Sequence, residues 1–169
     1  MTYRPPLQFS DADFQRCYAS VHEAGHAVAA VLLGGTVHLA TVDGQPRTEY
    51  DVLPDGARAA VAYAGPWAEA RFKARGRPGF ADVERELRAN PSDDKTLCAA
   101  GGPAATGGVT TLLERHLSAV KAVTTALFID GTIGHAAVCT ALGLSDGGGP
   151  GSFELANMRA GLRGAPTAT

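Results

Sequence analysis

Phe14-Gln15-Arg16-Cys17-Tyr18-Ala19-Ser20-Val21-His22-Glu23-Ala24-Gly25-His26-Ala27-Val28-Ala29-Ala30-Val31-Leu32-Leu33 is the stretch that decides how this chain is read. Phe14, Cys17, Tyr18, Val21, Gly25, Val28, Ala29, Leu32 and Leu33 recur at helical spacing and predict an α-helix with one apolar stripe. Inside it stands His22-Glu23-Ala24-Gly25-His26, an HExxH motif. Residues four apart on a helix lie about 40° apart around the axis, one turn along it. Both imidazoles therefore reach a single ion. Glu23, about 60° from His26 on the same side, reaches a water on that ion. The two histidines fall beside or within the apolar stripe and point inward. Two inward histidines with a glutamate between them are poor core filling. They are two neutral nitrogen ligands for Zn²⁺ with a carboxylate to take a proton from water.

The helix has clear ends. Ser10 or Asp11 caps its start, after Pro-bearing and extended residues 1–10, and Gly34-Gly35 closes it just past the last turn. Thr36 to Val42 is β-branched and roughly alternating, which predicts a strand. Thr48 to Val52 predicts a second, beyond the turn residues Asp43-Gly44-Gln45-Pro46. A second helix is expected from Ala57 to Arg75, kinked at Gly65-Pro66. Asp82 to Arg88 reads as a charged helical turn, and Asn90-Pro91-Ser92 opens a third helix that ends near Gly101-Gly102. Thr110 to Phe128 and Ile133 to Leu142 read as amphipathic helices. Gly147-Gly148-Gly149-Pro150-Gly151 separates them from a short helix, Phe153 to Leu162, and a tail. The expected organisation is one domain over 1–146, then a linker, helix and tail over 147–169.

Composition narrows the function classes. The formal net charge is −2, so no basic field exists to hold nucleic acid or an acidic membrane. Cys17, Cys98 and Cys139 are odd in number and widely spaced, and read as reduced thiols. The longest apolar run, Ala27 to Leu33, is too short to span a bilayer, and the first residues lack the pattern of a signal peptide. A soluble cytoplasmic protein is expected, with a homo-oligomer allowed.

A zinc site needs a third protein ligand. Ala27-Val28-Ala29-Ala30-Val31 follows His26, so no ligand comes at the short spacing of a third histidine on the same segment. Glu69, Asp93 and Asp94 are the main candidates, with Cys98, His116 and His135 behind them. Each has a plainer reading: Asp93 or Asp94 as a carboxylate at a helix start, Glu69 as a buried support, Cys98, His116 and His135 as core or rim residues.

Several segments together resemble the peptidase domain of FtsH-type zinc metalloproteases. His22-Glu23-Ala24-Gly25-His26-Ala27-Val28 resembles its start, and Gly35 to Val42 its following strand. Ala64-Gly65-Pro66-Trp67-Ala68-Glu69 is similar to its Gly-x-x-Ala-Glu segment. Ser92-Asp93-Asp94 resembles its Ser-x-Asp segment, whose aspartate is the third zinc ligand. Carried over residue by residue, the resemblance implies Zn²⁺ on His22, His26 and Asp94, with Glu23 as the catalytic base and Glu69 as a support. It covers about residues 14–142, and only HEAGH is highly specific. The family's ATPase module has no counterpart, since no Gly-x-x-x-x-Gly-Lys-Ser/Thr occurs. The loop after the strand also lacks the family's Gly-rich sequence, so substrate preference does not transfer.

The expected fold is mainly α, a zincin-type helical metallopeptidase domain with a small β-hairpin or sheet edge. The expected function is a stand-alone, ATP-independent zinc peptidase acting on short or unstructured peptides. Thr36 to Val42 is the expected edge for an extended substrate. The alternatives are a zinc amide hydrolase for one peptide-like metabolite, and a regulatory module that binds zinc without turnover.

Overall fold

The computed structural model of the chain describes residues 9–51 and 54–166. Residues 1–8, Val52 at the end of the expected second strand, and the last of the tail lie outside them. Among the described residues the fold is mainly helical with a small antiparallel sheet.

Helix α1 (Asp11–Leu32) is the axis of the molecule. Ser10 caps it: its hydroxyl accepts from the Asp13 N–H, and the Asp13 carboxylate accepts from the Ser10 N–H at 2.8 Å. This capping box satisfies two donors that a helix start otherwise leaves open. From Ser20 to Leu32 every residue of α1 is buried. A helix that is apolar nearly all round belongs in the middle of a core, and α1 packs against α2, α6, α7 and strand β1. The stripe expected from sequence fails at its N-terminal end, where Phe14 is 49% exposed. There the helix projects beyond the elements that enclose its second half.

Strand β1 (Thr36–Thr41) pairs antiparallel with β2 (Arg47–Asp51) on one side and, through Ala40 and Thr41, with β3 (Thr132–Ile133) on the other. The order β2-β1-β3 makes β1 the central strand. The edge expected at Thr36–Val42 is therefore corrected at Ala40 and Thr41, which β3 pairs, and β2 is an outer strand of the sheet. Ile133, expected in a helix, lies in β3.

Helix α2 (Ala57–Lys73) runs unbroken through Pro66 and lies close against α1. Gly25 permits that approach. A Cβ there would stand 2.5 Å from the Ala64 carbonyl oxygen and 2.8 Å from the Ala68 Cβ. Helix α3 (Phe80–Ala89) is followed at once by α4 (Pro91–Ala99), the break falling at Asn90, which precedes proline. A 3-10 turn (Gly102–Thr106) leads to α5 (Val109–Arg115) and α6 (Leu117–Asp130).

The single helix expected over Thr110–Phe128 is thus two. They divide at His116, which is 1% exposed and accepts the Ala165 N–H on Nδ1 at 3.2 Å. Helix α7 (His135–Leu142) follows β3. Helix α8 (Phe153–Arg159) sets Leu155 and Met158 into the same core and donates from Arg159 to the Leu32 carbonyl. No helix among the described residues is long and apolar enough to cross a membrane.

Candidate metal centre

His22 and His26 sit one turn apart on the buried half of α1, each 8% exposed. Their orientation is set by what their Nδ1 atoms touch. His26 Nδ1 lies 2.7 Å from the Val61 carbonyl oxygen on α2. A carbonyl only accepts, so His26 Nδ1 carries the proton and Nε2 presents a lone pair. His22 Nδ1 lies 3.3 Å from Glu69 Oε2, also an acceptor, so in the neutral imidazole its Nε2 is left in the same condition.

The two Nε2 atoms stand 3.0 Å apart. Asp93 Oδ2, from the first turn of α4, lies 3.1 Å from His22 Nε2 and 3.3 Å from His26 Nε2. Three lone pairs thus converge on one point in a largely buried setting. Such an arrangement is stable only around positive charge. His22, His26 and Asp93 form a group that can hold a metal ion.

The electrostatics agree. Burial works against charge on His22, but the Asp93 and Glu69 carboxylates outweigh it and push its pKa up to about 9. Burial likewise opposes charge on Asp93, yet the two imidazoles hold its carboxyl far below the usual range. A metal ion competes with the proton for His22 Nε2 and satisfies all three donors together.

Gly65 completes the seat. It lies where α2 crosses the His26 ring, and a Cβ built on it would fall within 2.6 Å of Cε1 and 2.8 Å of Cδ2. Only glycine lets α2 come that close to the imidazole.

Asp94, which the family resemblance implied as third ligand, is not brought to the histidines. It points to the other flank of α4, where its Oδ1 accepts from the Cys98 thiol at 3.6 Å and it lines a separate cavity with Tyr63 and Leu97. Neighbouring helix residues diverge by about 100°, so one of the two aspartates must turn away. Glu69 does not join the ligand group either. It backs His22 from Nδ1 and binds Lys73 Nζ at 2.7 Å. His116 is a core residue. His135 ties β1 to a loop: its Nδ1 accepts from the Val37 N–H at 3.3 Å and its Nε2 donates to the Gly147 carbonyl at 2.8 Å.

Glu23 is 5% exposed and points toward β2. The Thr48 hydroxyl donates to Glu23 Oε2 at 2.7 Å, which fixes the carboxylate. Glu23, His22, His26 and Asp93 line one cleft of about 370 Å³. One wall is Pro46, Arg47, Thr48 and Tyr50 on and before β2; the other runs from Ala89 to Asp93 at the start of α4. Thr48 and the β2 wall were not singled out from sequence. Strand alternation is the one signal that carries them, since Thr48 and Tyr50 are the two half-buried residues of an otherwise exposed strand. No protein-family model matches the chain, and a search of curated proteins finds no match to it.

Proposed function

We propose that this protein is a zinc-dependent hydrolase that cleaves amide bonds in short or unstructured peptides without ATP. The observation that carries the reading is the placement of Glu23. Its carboxylate shares a cleft with three converging metal donors and is held there by a hydroxyl from the adjoining strand. A purely structural metal site has no use for a fixed carboxylate at that place.

The donor set suits zinc. Bonds of about 2.0–2.1 Å in a tetrahedron require ligand-to-ligand edges of about 3.3 Å. The three edges here are 3.0, 3.1 and 3.3 Å. Two imidazoles and one carboxylate also leave the fourth position of a catalytic site. When bound, zinc supplies Lewis acidity that acidifies water and polarises a carbonyl.

The chain's own residues do the rest. Glu23 takes the proton from water and returns it to the departing amine. Thr48 holds Glu23 in place for both transfers. Glu69 and the Val61 carbonyl keep protons on the outer nitrogens of the histidines, so the inner ones remain ligands. The free edge of β2 forms one wall of the cleft, and an extended peptide backbone can add to it as a strand. The resemblance to FtsH-type peptidases in the segments around His22 and Glu69 supports the same reading, while in the Ser92-Asp93-Asp94 segment it implied Asp94 where the geometry favours Asp93.

The test is Glu23→Gln. The amide still accepts a hydrogen bond from Thr48 but takes no proton. Zinc content and thermal midpoint should stay at wild-type values, while cleavage of a flexible-peptide library, followed by mass spectrometry, falls at least about a hundredfold. Cleavage unchanged in Glu23→Gln would defeat the assignment.

A further inference from the structure

Behind the cleft, a chain of polar contacts returns on itself. His22 Nδ1 meets Glu69 Oε2 at 3.3 Å, and Glu69 Oε1 meets Lys73 Nζ at 2.7 Å. Lys73 Nζ also donates to Glu86 Oε2 at 2.8 Å. The backbone carbonyl of Glu86 accepts from Asn90 Nδ2 at 2.8 Å, and the Asn90 carbonyl accepts the Asp93 N–H at 3.1 Å. Asp93 then closes the ring on His22 Nε2 at 3.1 Å. The path crosses α1, α2, α3 and α4 and contains both outer members of the ligand group.

One remote member, Glu86, is unusual for a surface ion pair. Glu86 is 3% exposed, a carboxylate taken out of water with Lys73 as its ionic partner. The Lys73 ammonium is roofed by the Tyr18 ring at 4.8 Å. Burial of this kind is costly and survives only when the geometry is held. Here it fixes two things at once. It points the Glu69 carboxylate at His22, and it clamps the end of α3 from which Asn90 launches α4.

We propose that Lys73 and Glu86 are positioning residues of the metal site, joining the His22 side to the Asp93 side so that the three donors meet. The inference rests on the metal-site reading above. Neither residue touches the ion or a substrate. They act through Glu69 and through Asn90.

Cobalt substitution reads this directly, because its visible absorption reports the geometry of the ligands, and a chelator competition gives zinc affinity. Lys73→Met should weaken zinc binding by about 10–100-fold and alter the cobalt spectrum. Lys73→Arg, which keeps the charge and two donors, should recover most of both. An unpaired Glu86 can unfold the protein, so the double variant Lys73→Met/Glu86→Leu removes the buried carboxylate together with its partner. With the buried Glu86 charge and its exposed partner both gone, this variant should fold and still show the weakened affinity.

Arg85→Met, which breaks an exposed pair on the same helix, serves as control and should match wild type. Wild-type affinity and spectrum in the folded double variant would overturn the proposal while leaving the metal site standing. Failure of the wild-type protein to bind cobalt or zinc would overturn both.

Discussion

Helix α1 and helix α4 supply the same centre from opposite kinds of surroundings. The half of α1 that carries His22, Glu23 and His26 is enclosed on all sides and fixed against α2 through Gly25 and Gly65. Helix α4, which carries Asp93, spans only Pro91–Ala99 and buries one residue, Leu97. It has no side-chain N-cap, and two glycines with positive φ, Gly101 and Gly102, follow it. Two ligands are thus built into the core before any ion arrives. The third stands on an element whose docking depends on Leu97, on the ring through Asn90 and on the ion itself. Proteins draw mobile, ligand-responsive segments from weakly packed elements. The comparison teaches that metal binding should stiffen α4 and leave α1 as it was.

The rigid side breaks first under overpacking. Gly65→Ala pushes a methyl into the His26 ring, so either the α1–α2 contact or the imidazole must shift. The expected loss is about 1–3 kcal/mol of stability with displacement of His26, seen as a lower thermal midpoint and a protein that no longer retains zinc. A Gly65→Ala protein with wild-type stability and zinc content would mean that the α1–α2 contact is looser than described.

The weak side is tested by hydrogen exchange. Amides of α4 should exchange at least tenfold more slowly with zinc than without it, about 1.4 kcal/mol of local stabilisation, while those of Ala24 to Leu32 stay unchanged. Equal protection of both helices would erase the distinction.

Proton competition sharpens the comparison further. Without metal, His22 has a folded pKa of about 9 against an ordinary 6.5. Its contribution to stability is fully present below pH 6.5 and is lost as pH rises through about 9. Zinc must displace that same proton, so its stabilisation runs the other way and grows across the window. The metal-free midpoint should fall from pH 6.5 to 9 while the increment on adding zinc rises. A zinc increment independent of pH would remove His22 from the ligands.

The smallest effect belongs to the strand wall. Thr48→Val deletes the hydrogen bond that orients Glu23 but keeps the carboxylate itself in the cleft. One such bond is worth roughly 1 ± 0.5 kcal/mol, so turnover should drop by less than about tenfold with zinc affinity intact.

How much of this was legible in the sequence differs between the same two regions. Along α1 the motif, the cap at Ser10 and the stop at Gly34 are all local, and so they could be read. Along α4 the pattern is too sparse. Leu97 fixes which way the helix faces inward, but Asp93 lies about 40° to one side of it and Asp94 about 60° to the other. Nothing in nine residues says which flank meets the histidines; that is decided by how α3 and Asn90 deliver the chain. The split at His116 and the pairing of β3 with β1 were hidden for the same reason. Each depends on a partner far along the chain, Ala165 in one case and Ala40 and Thr41 in the other. β3 pairs with β1 only at Ala40 and Thr41, yet that is enough to make β1 the central strand and leave β2, the strand that flanks the base, at the edge.

The most direct measurement compares zinc content in Asp93→Ala and Asp94→Ala beside the wild type, each purified without chelator and analysed by elemental mass spectrometry. The wild type and Asp94→Ala should carry about one zinc per chain, and Asp93→Ala should lose it. Zinc lost from Asp94→Ala but kept in Asp93→Ala, or a wild-type protein free of any transition metal, would contradict the account.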